Sequence, residues 1–441
     1  MSARRVIGAL VLAALPSCGP DSAPATVRSP LQESAQESAE SAQTSRQEPA
    51  SSAQDPAEKP AEPAQPSGQE PQEPQDPSGE PVWTRAARVG VGEAVQGAVA
   101  WLVANQNADG SWGSHASSRP YEVLASIPGS QEAFRVATSA LCVMALRDAG
   151  SKRPEVASAI EKGLDFLLAD FDVKRQSGME HYNVWTFGYA LQCFGEEVGR
   201  APDGPRASAL RRAGAKIVER LGQYQTLDGG WGYLSLSGVA TFQPSDTSMS
   251  FTTATILLGA ERAQENAIQI PQAMIGRAVD HIRRSRLSDD AFLYGEYLKY
   301  RPRMGVNETY GSACRTPLCL LVLDAFGDEV SPETYAKSLE NLLVRSADYQ
   351  KAAVRRPIPH ESWYHVSGYF YLYGHAYAAY VLEKLDRKTQ QRFWPLLVDA
   401  VEYCREPDGS FWDYPLYSYH KPYGTAFALI ALARAQRFGL K

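Results

Sequence analysis

The side chains of this 441-residue chain that are equipped for acid–base work stand at a few sites. His365 lies in "WYHVSGYFYLYG" (363–374), and Asp413 and His420 lie in "FWDYPLYSYHKPY" (411–423). Imidazole titrates near neutral pH, and a carboxylate beside it fixes its tautomer, so either histidine with Asp413 has the composition of a general acid or base. Asp246 in "SDTSMSFTTA" (245–254) is a lone acid ahead of an apolar run, placed either to donate a proton or to cap a helix. His181 and Tyr182, Glu308 and Tyr310, Tyr364, and Tyr419 likewise stand just before apolar runs. If those runs share one rim, these side chains converge at a cavity mouth, where helix N-termini favour anionic groups. Tyr369, Tyr373, Tyr377 and Tyr380 repeat at i, i+4, i+8 and i+11, one stripe of a helix, with Tyr371 and His375 on another face. Buried tyrosines need hydrogen-bond partners, and an aromatic-lined cavity holding a sugar chain or an isoprenoid would supply them. His181, Tyr182, Tyr310, Tyr364, Tyr373, His375 and Tyr419 are therefore candidate ligand contacts.

Elements of one kind must hold these residues. Apolar runs with helical period occur in pairs across 93–436. The second members are alike: "TSALCVMAL" (138), "TFGYALQCF" (186), "TATILLGAE" (253), "TPLCLLVLD" (316), "HAYAAYVLE" (375) and "TAFALIALA" (425). The first members begin at 97, 163, 214, 276, 338 and 396, and several are charged on one side. Neither terminal pair has the polar outer face that an open solenoid needs. The expectation is all-α: an (α/α)6 toroid of six helical hairpins over 83–441, closed on itself, with the second members inside.

Turns between the runs carry a repeated motif, "QNADGSWG" (106–113) and "QTLDGGWG" (225–232), with a weaker copy "REPDGSFW" (405–412). Asp-Gly is turn chemistry, and the aromatic after it suits a ring folded back on neighbouring helices. "GAVAWLVANQNADGSW" (97–112) resembles the QW motif of the squalene cyclases, and the inner runs are similar to those of the wider squalene cyclase/prenyltransferase repeat superfamily. The resemblance implies a structural role for Gln106, Gly110, Trp112, Gln225, Gly229 and Trp231, tying outer helices together. It also implies an isoprenoid-type ligand in a central cavity. The catalytic signatures do not follow: there is no D-x-D-D, "SDDAF" (288–292) being the nearest approach, and no Asp-x-Cys zinc pair. His365 is the one residue similar to a prenyltransferase zinc ligand, so no metal and no cofactor is expected. A carbohydrate-active lyase or hydrolase, or a non-catalytic scaffold, are the alternative readings. Catalysis, where present, falls to His365, His420, Asp413 or Asp246.

The N-terminal residues read as an address. Arg4 and Arg5 precede a short apolar stretch, and "LPSC" (15–18) resembles a bacterial lipobox, which implies a signal peptide over 1–18 and lipidation at Cys18. The alternative is cleavage after "APA" near Ala25 and free secretion. Residues 19–82 are rich in Pro, Glu, Gln, Ser and Ala, the composition of a disordered tether. With 12 acidic and 3 basic side chains this segment carries −9 against −6 for the whole chain, leaving 83–441 near neutral and without the basic face that nucleic acid requires. The expected address is the cell envelope, with the membrane met only through the anchor. Five cysteines remain, mostly inside apolar runs and without C-x-x-C, which suits buried thiols rather than disulfides.

Overall fold

The computed structural model describes residues 86–440, apart from 117–127, 176–177, 179–181, 236–237 and 357–364. The signal-like segment, Cys18, Ala25 and the 19–82 tether lie outside the described residues, as do His181 and Tyr364. All the described elements belong to the unit Glu70–Lys441. They are helices and isolated bridges, with no strand among the described residues.

Six helices build an inner ring: α2 (Pro128–Asp148), α4 (Asn183–Arg200), α6 (Ser250–Glu265), α9 (Thr316–Ala325), α12 (Tyr371–Glu383) and α14 (His420–Phe438). Each packs on the next, and α14 packs on α2, so the ring is closed. Six more lie outside: α1 (Val91–Ala104), α3 (Pro154–Asp170), α5 (Pro205–Tyr224), α7 (Gln272–Ser285), α10 (Pro332–Glu340) and α13 (Arg387–Glu402). Short helices α8 (Thr309–Ser312) and α11 (Ala347–Ala353) sit in the long connections. The inner helices are buried nearly all round because both faces are covered, by the ring centre and by the outer layer. The outer ones bury one stripe; α5 hides Leu210, Ile217 and Leu221 and leaves its arginines outward.

The hairpins differ from the pairing that sequence order suggested. Each outer helix after α1 packs on the inner helix before it, α3 on α2, α5 on α4 and α13 on α12, across connections of a few residues. Short links leave antiparallel neighbours no other choice. The run at 97 therefore has no partner at 138; α1 packs against α14, and the sixth hairpin joins the two ends of the chain. The long connections all enter inner helices, so the N-termini of those helices share one rim. Packing is tightest between α4 and α6, where a Cβ on Gly259 would stand 2.6 Å from the carbonyl oxygen of Gly188. All five cysteines of the toroid are buried thiols, and no disulfide is formed among the described residues.

Candidate functional site

The turns hold the ring in register by one repeated device. Gln106 Nε2 donates to Gly110 O (2.9 Å) and to Ala159 O of α3 (2.8 Å). Gln225 Nε2 does the same to Gly229 O (2.7 Å) and to Met274 O of α7 (2.8 Å). Trp112 and Trp231 are buried, and each indole N–H returns to the end of its own outer helix, at Leu102 O (2.7 Å) and Leu221 O (2.9 Å). Their backbone N–H groups take hydroxyls from the inner helices, Ser139 and Thr253, both at 3.0 Å. Gly110 and Gly229 have φ of 91° and 96°, and a Cβ there would stand within 2.5 Å of a carbonyl oxygen of the next outer helix. Left-handed backbone and close approach both require glycine. Phe411 repeats the pattern on Thr425 (2.9 Å). A further copy, 286–292, was hidden from the sequence because three of its four markers are replaced, Arg286 for Gln, Asp290 (φ 71°) for Gly and Phe292 for Trp, and only the turn aspartate, Asp289, is kept. "SDDAF" is therefore part of a structural turn.

These turns and the N-terminal halves of the inner helices enclose a cavity of about 350 Å³. Seventeen described residues line it, and twelve of these are aromatic. Trp185 and Tyr189 of α4, Phe370 and Tyr373 at the start of α12, and Tyr423 and Phe427 of α14 form the sides. Tyr233, Tyr294, Tyr369 and Tyr414 come from the long connections. Among the described lining residues none carries a formal charge. Three phenols meet one another, Tyr233 with Tyr294 at 2.8 Å and Tyr294 with Tyr369 at 2.7 Å, while Tyr373 donates to the backbone at Phe251 O (3.3 Å). Burial pushes these phenols well up, so they remain neutral donors. Below, Tyr377 closes the ring centre, with its ring 4.8 Å from Tyr373 and 5.9 Å from Tyr380. A second cavity, about 270 Å³, lies beyond it among the charged C-terminal ends of the inner helices, including Asp148, Arg262 and Arg434.

Of the residues singled out from sequence, Tyr182, Tyr369 and Tyr373 line the aromatic cavity. Asp413 is fully buried one layer behind, accepting from Leu372 N (2.8 Å) and from Tyr423 Oη (2.8 Å). Burial pushes its carboxyl up to about 6, against the pull of those two donors. Tyr423 lies between this acid and the cavity. His420 is buried with its ring 5.0 Å from Trp412, its Nδ1 donating to Tyr417 O. His365 is half-buried in left-handed backbone (φ 53°), its ring against Gly305. Neither histidine is part of the cavity lining. Asp246 is exposed in the loop before α6, whose cap position is Met249. Tyr310 stands beside Tyr349 (5.3 Å), and Tyr419 is buried behind Phe134. His375 faces the outer layer rather than the ring centre: it stacks on Tyr371 (4.3 Å), whose hydroxyl reaches Ala400 O of α13 (2.9 Å). Burial lowers its imidazole to about 4. The helical phase explains this, because 371 and 375 oppose 373 and 377.

Sequence reasoning weighted the rim and missed residues one turn deeper, chiefly Trp185, Tyr189, Tyr423 and Phe427. The signal was present as aromatic pairs at i, i+4 in the inner runs. It also missed Arg315, which is buried and donates to Gly311 O (2.9 Å) and Phe292 O (2.8 Å) behind Tyr294.

No family model and no curated protein matches the sequence. Solved structures similar to this one include the type II terpene cyclase MstE from Scytonema, at 16% identity and a TM-score of 0.48, with 79% of this chain and 99% of that chain covered. They also include the GH76A α-1,6-mannanase from Salegentibacter sp. HEL1_6, at 10% identity and 0.48, covering 78% and 99%. A protein from Actinoplanes matches at 13% identity and 0.45, covering 78% and 99%. The closed ring of inner helices with its outer layer makes the chain an α/α toroid by its own packing.

Proposed function

We propose that the toroid binds an elongated, uncharged apolar ligand of isoprenoid type in its aromatic cavity. The observation that supports this is the lining among the described residues, aromatic in twelve of seventeen positions and free of formal charge there. Such walls reward burial of apolar carbon, at about 25 cal/mol per Å², and would stabilise a cation formed within them. A cavity of about 350 Å³ lies within the usual range for small-ligand sites. The carbohydrate-active alternative has less support among the described lining residues, which include no carboxylate where a glycosidase carries a pair. If a chemical step follows binding, Asp413 is its acid, and Tyr423 is the group that would carry the proton to the cavity.

The test is titration of the full chain with geranylgeraniol, reading tryptophan fluorescence, with a linear mannooligosaccharide as control. Saturable quenching by geranylgeraniol that is lost in Trp185→Phe supports the reading. Quenching by the oligosaccharide alone overturns it. The proposal extends to address: lipidation at Cys18, motivated by residues 4–18, would tether the toroid to the cell envelope. Incorporation of labelled palmitate that persists in Cys18→Ser would sink that part.

A further inference from the structure

The turns contain an internal comparison. In the first turn Asp109 pairs with Arg135, four residues before the anchoring Ser139, and the Arg135 guanidinium lies 4.9 Å over the ring of Phe166. In the last turn Asp408 pairs with Lys421 (3.2 Å), four residues before Thr425. A cation thus stands beside the turn aspartate in both. In the second turn the corresponding position, four residues before Thr253, is Met249, which is buried and carries no charge.

Instead, metal-ligating side chains face that place. Phe166 lies seven residues after Ala159, the residue whose carbonyl Gln106 takes; seven residues after Met274, taken by Gln225, stands His281. His281 is fully buried, and a ring nitrogen of His281, a carboxylate oxygen of Asp228 and one of Glu296 all lie within 4.8 Å of one another. Glu296 enters from the 3-10 turn Glu296–Leu298 and is nine-tenths buried. Its Oε2 is buried, and its one near partner among the described residues is His281 Nδ1 at 3.3 Å, an ion pair short of good hydrogen-bond geometry. The flanking cations sit on the other oxygen, with Arg284 Nε 3.8 Å and Lys299 Nζ 3.6 Å from Oε1. Ser248 Oγ, 3.1 Å from His281 Nδ1, adds a neutral oxygen.

We infer that Asp228, His281 and Glu296 form a site for one divalent transition-metal cation, Zn²⁺ in the first instance, in the place where the sister turns keep Arg135 and Lys421. One imidazole with two carboxylates suits Zn²⁺ or Mn²⁺ and disfavours the all-oxygen preference of Ca²⁺ and Mg²⁺. Asp228 is only partly buried, so the cation would retain a solvent position on that side. Its role is to join the second turn to α7 and to the Glu296 turn, independently of what the aromatic cavity holds.

The experiment uses the full chain freed of metal with a chelator, then titrated with Zn²⁺ and, separately, Mn²⁺. Binding is read by calorimetry and by thermal midpoint. One equivalent bound and a midpoint raised by the metal are expected. His281→Phe copies the residue the first turn already accommodates, and Glu296→Gln keeps shape while removing charge. Each is expected to weaken binding about tenfold or more and to abolish the midpoint shift. A wild-type chain that binds neither ion, or variants that bind as tightly as wild type, would overturn the site and leave a buried histidine–carboxylate pair.

Discussion

Trp231 and Gln225 show how single side chains fasten helices that belong to different hairpins. Trp231→Ala empties a fully enclosed volume and strands Leu221 O, and is expected to cost about 3–5 kcal/mol in urea unfolding. Gln225→Ala leaves Met274 O and Gly229 O without this donor and should cost about 1–3 kcal/mol. Two buried titrating groups make opposed demands on pH. Asp413, raised to about 6 from its ordinary 3.8, is easier to bury as the acid, so its contribution to stability is lost as pH rises from about 4 to 6. His375, lowered to about 4 from 6.5, contributes stability above pH 6.5 that is lost as pH falls toward 4. Each effect is on the order of 3 kcal/mol, so they largely cancel in the wild type between pH 4 and 6. Asp413→Asn should therefore lose stability on acidification from pH 6.5 to 4, and His375→Phe should gain it. Urea midpoints at pH 4.5 and 7 decide; parallel profiles for the two variants would refute both assignments.

Inner and outer helices treat the same substitution oppositely. At Gly259 of α6 a methyl group would meet the Gly188 carbonyl oxygen at 2.6 Å, so Gly259→Ala forces α4 and α6 apart. That overpacking costs about 1–3 kcal/mol and outweighs the gain in helix propensity. At Gly276 of α7 nothing lies within 4 Å of the added atom, and the position faces solvent. Gly276→Ala is expected to stabilise by about 0.5–1 kcal/mol. Thermal midpoints of the two variants should move in opposite directions; two downward shifts would contradict the layer assignment of α7.

The whole molecule depends on a clasp between its ends. α1 covers α14, Trp101 Nε1 donates to Asp408 Oδ2 at 3.2 Å, and Gly97 packs on Gly409. A closed ring couples every hairpin to two neighbours, so unfolding should be one transition, unlike an open array in which end repeats fray. Ala98 is fully buried in this clasp, and Ala98→Asp places an unpaired charge there. Expected are a lower midpoint, a broadened transition and loss of any ligand bound in the cavity, because α14 forms one of its walls. A single transition as steep as wild type would show that the closure does not carry cooperativity.

Repetition made the fold legible in the sequence. Six runs of one pattern, Asp-Gly turns and apolar ends dictate inner helices, outer helices and a ring, because period and turn chemistry are local properties of the chain. Tyr373 and Tyr182 were also readable, since a tyrosine stripe and a rim position are local too. The partner of α1 was not: that α14 and not α2 takes it follows from link lengths and ring closure, which no short window contains. His375 fell on the wrong side because a residue at an inner helix faces either the centre or the outer layer, and a helix buried on both sides gives no hydrophobic contrast to tell which. The third turn copy, with Arg286, Asp290 and Phe292, kept its shape while keeping only the turn aspartate Asp289 of its markers, since backbone angle and ring packing tolerate substitutes. Asp228, His281 and Glu296 are far apart in the chain. Only the tertiary structure brings them to one point, because their meeting depends on how the second turn seats against α7.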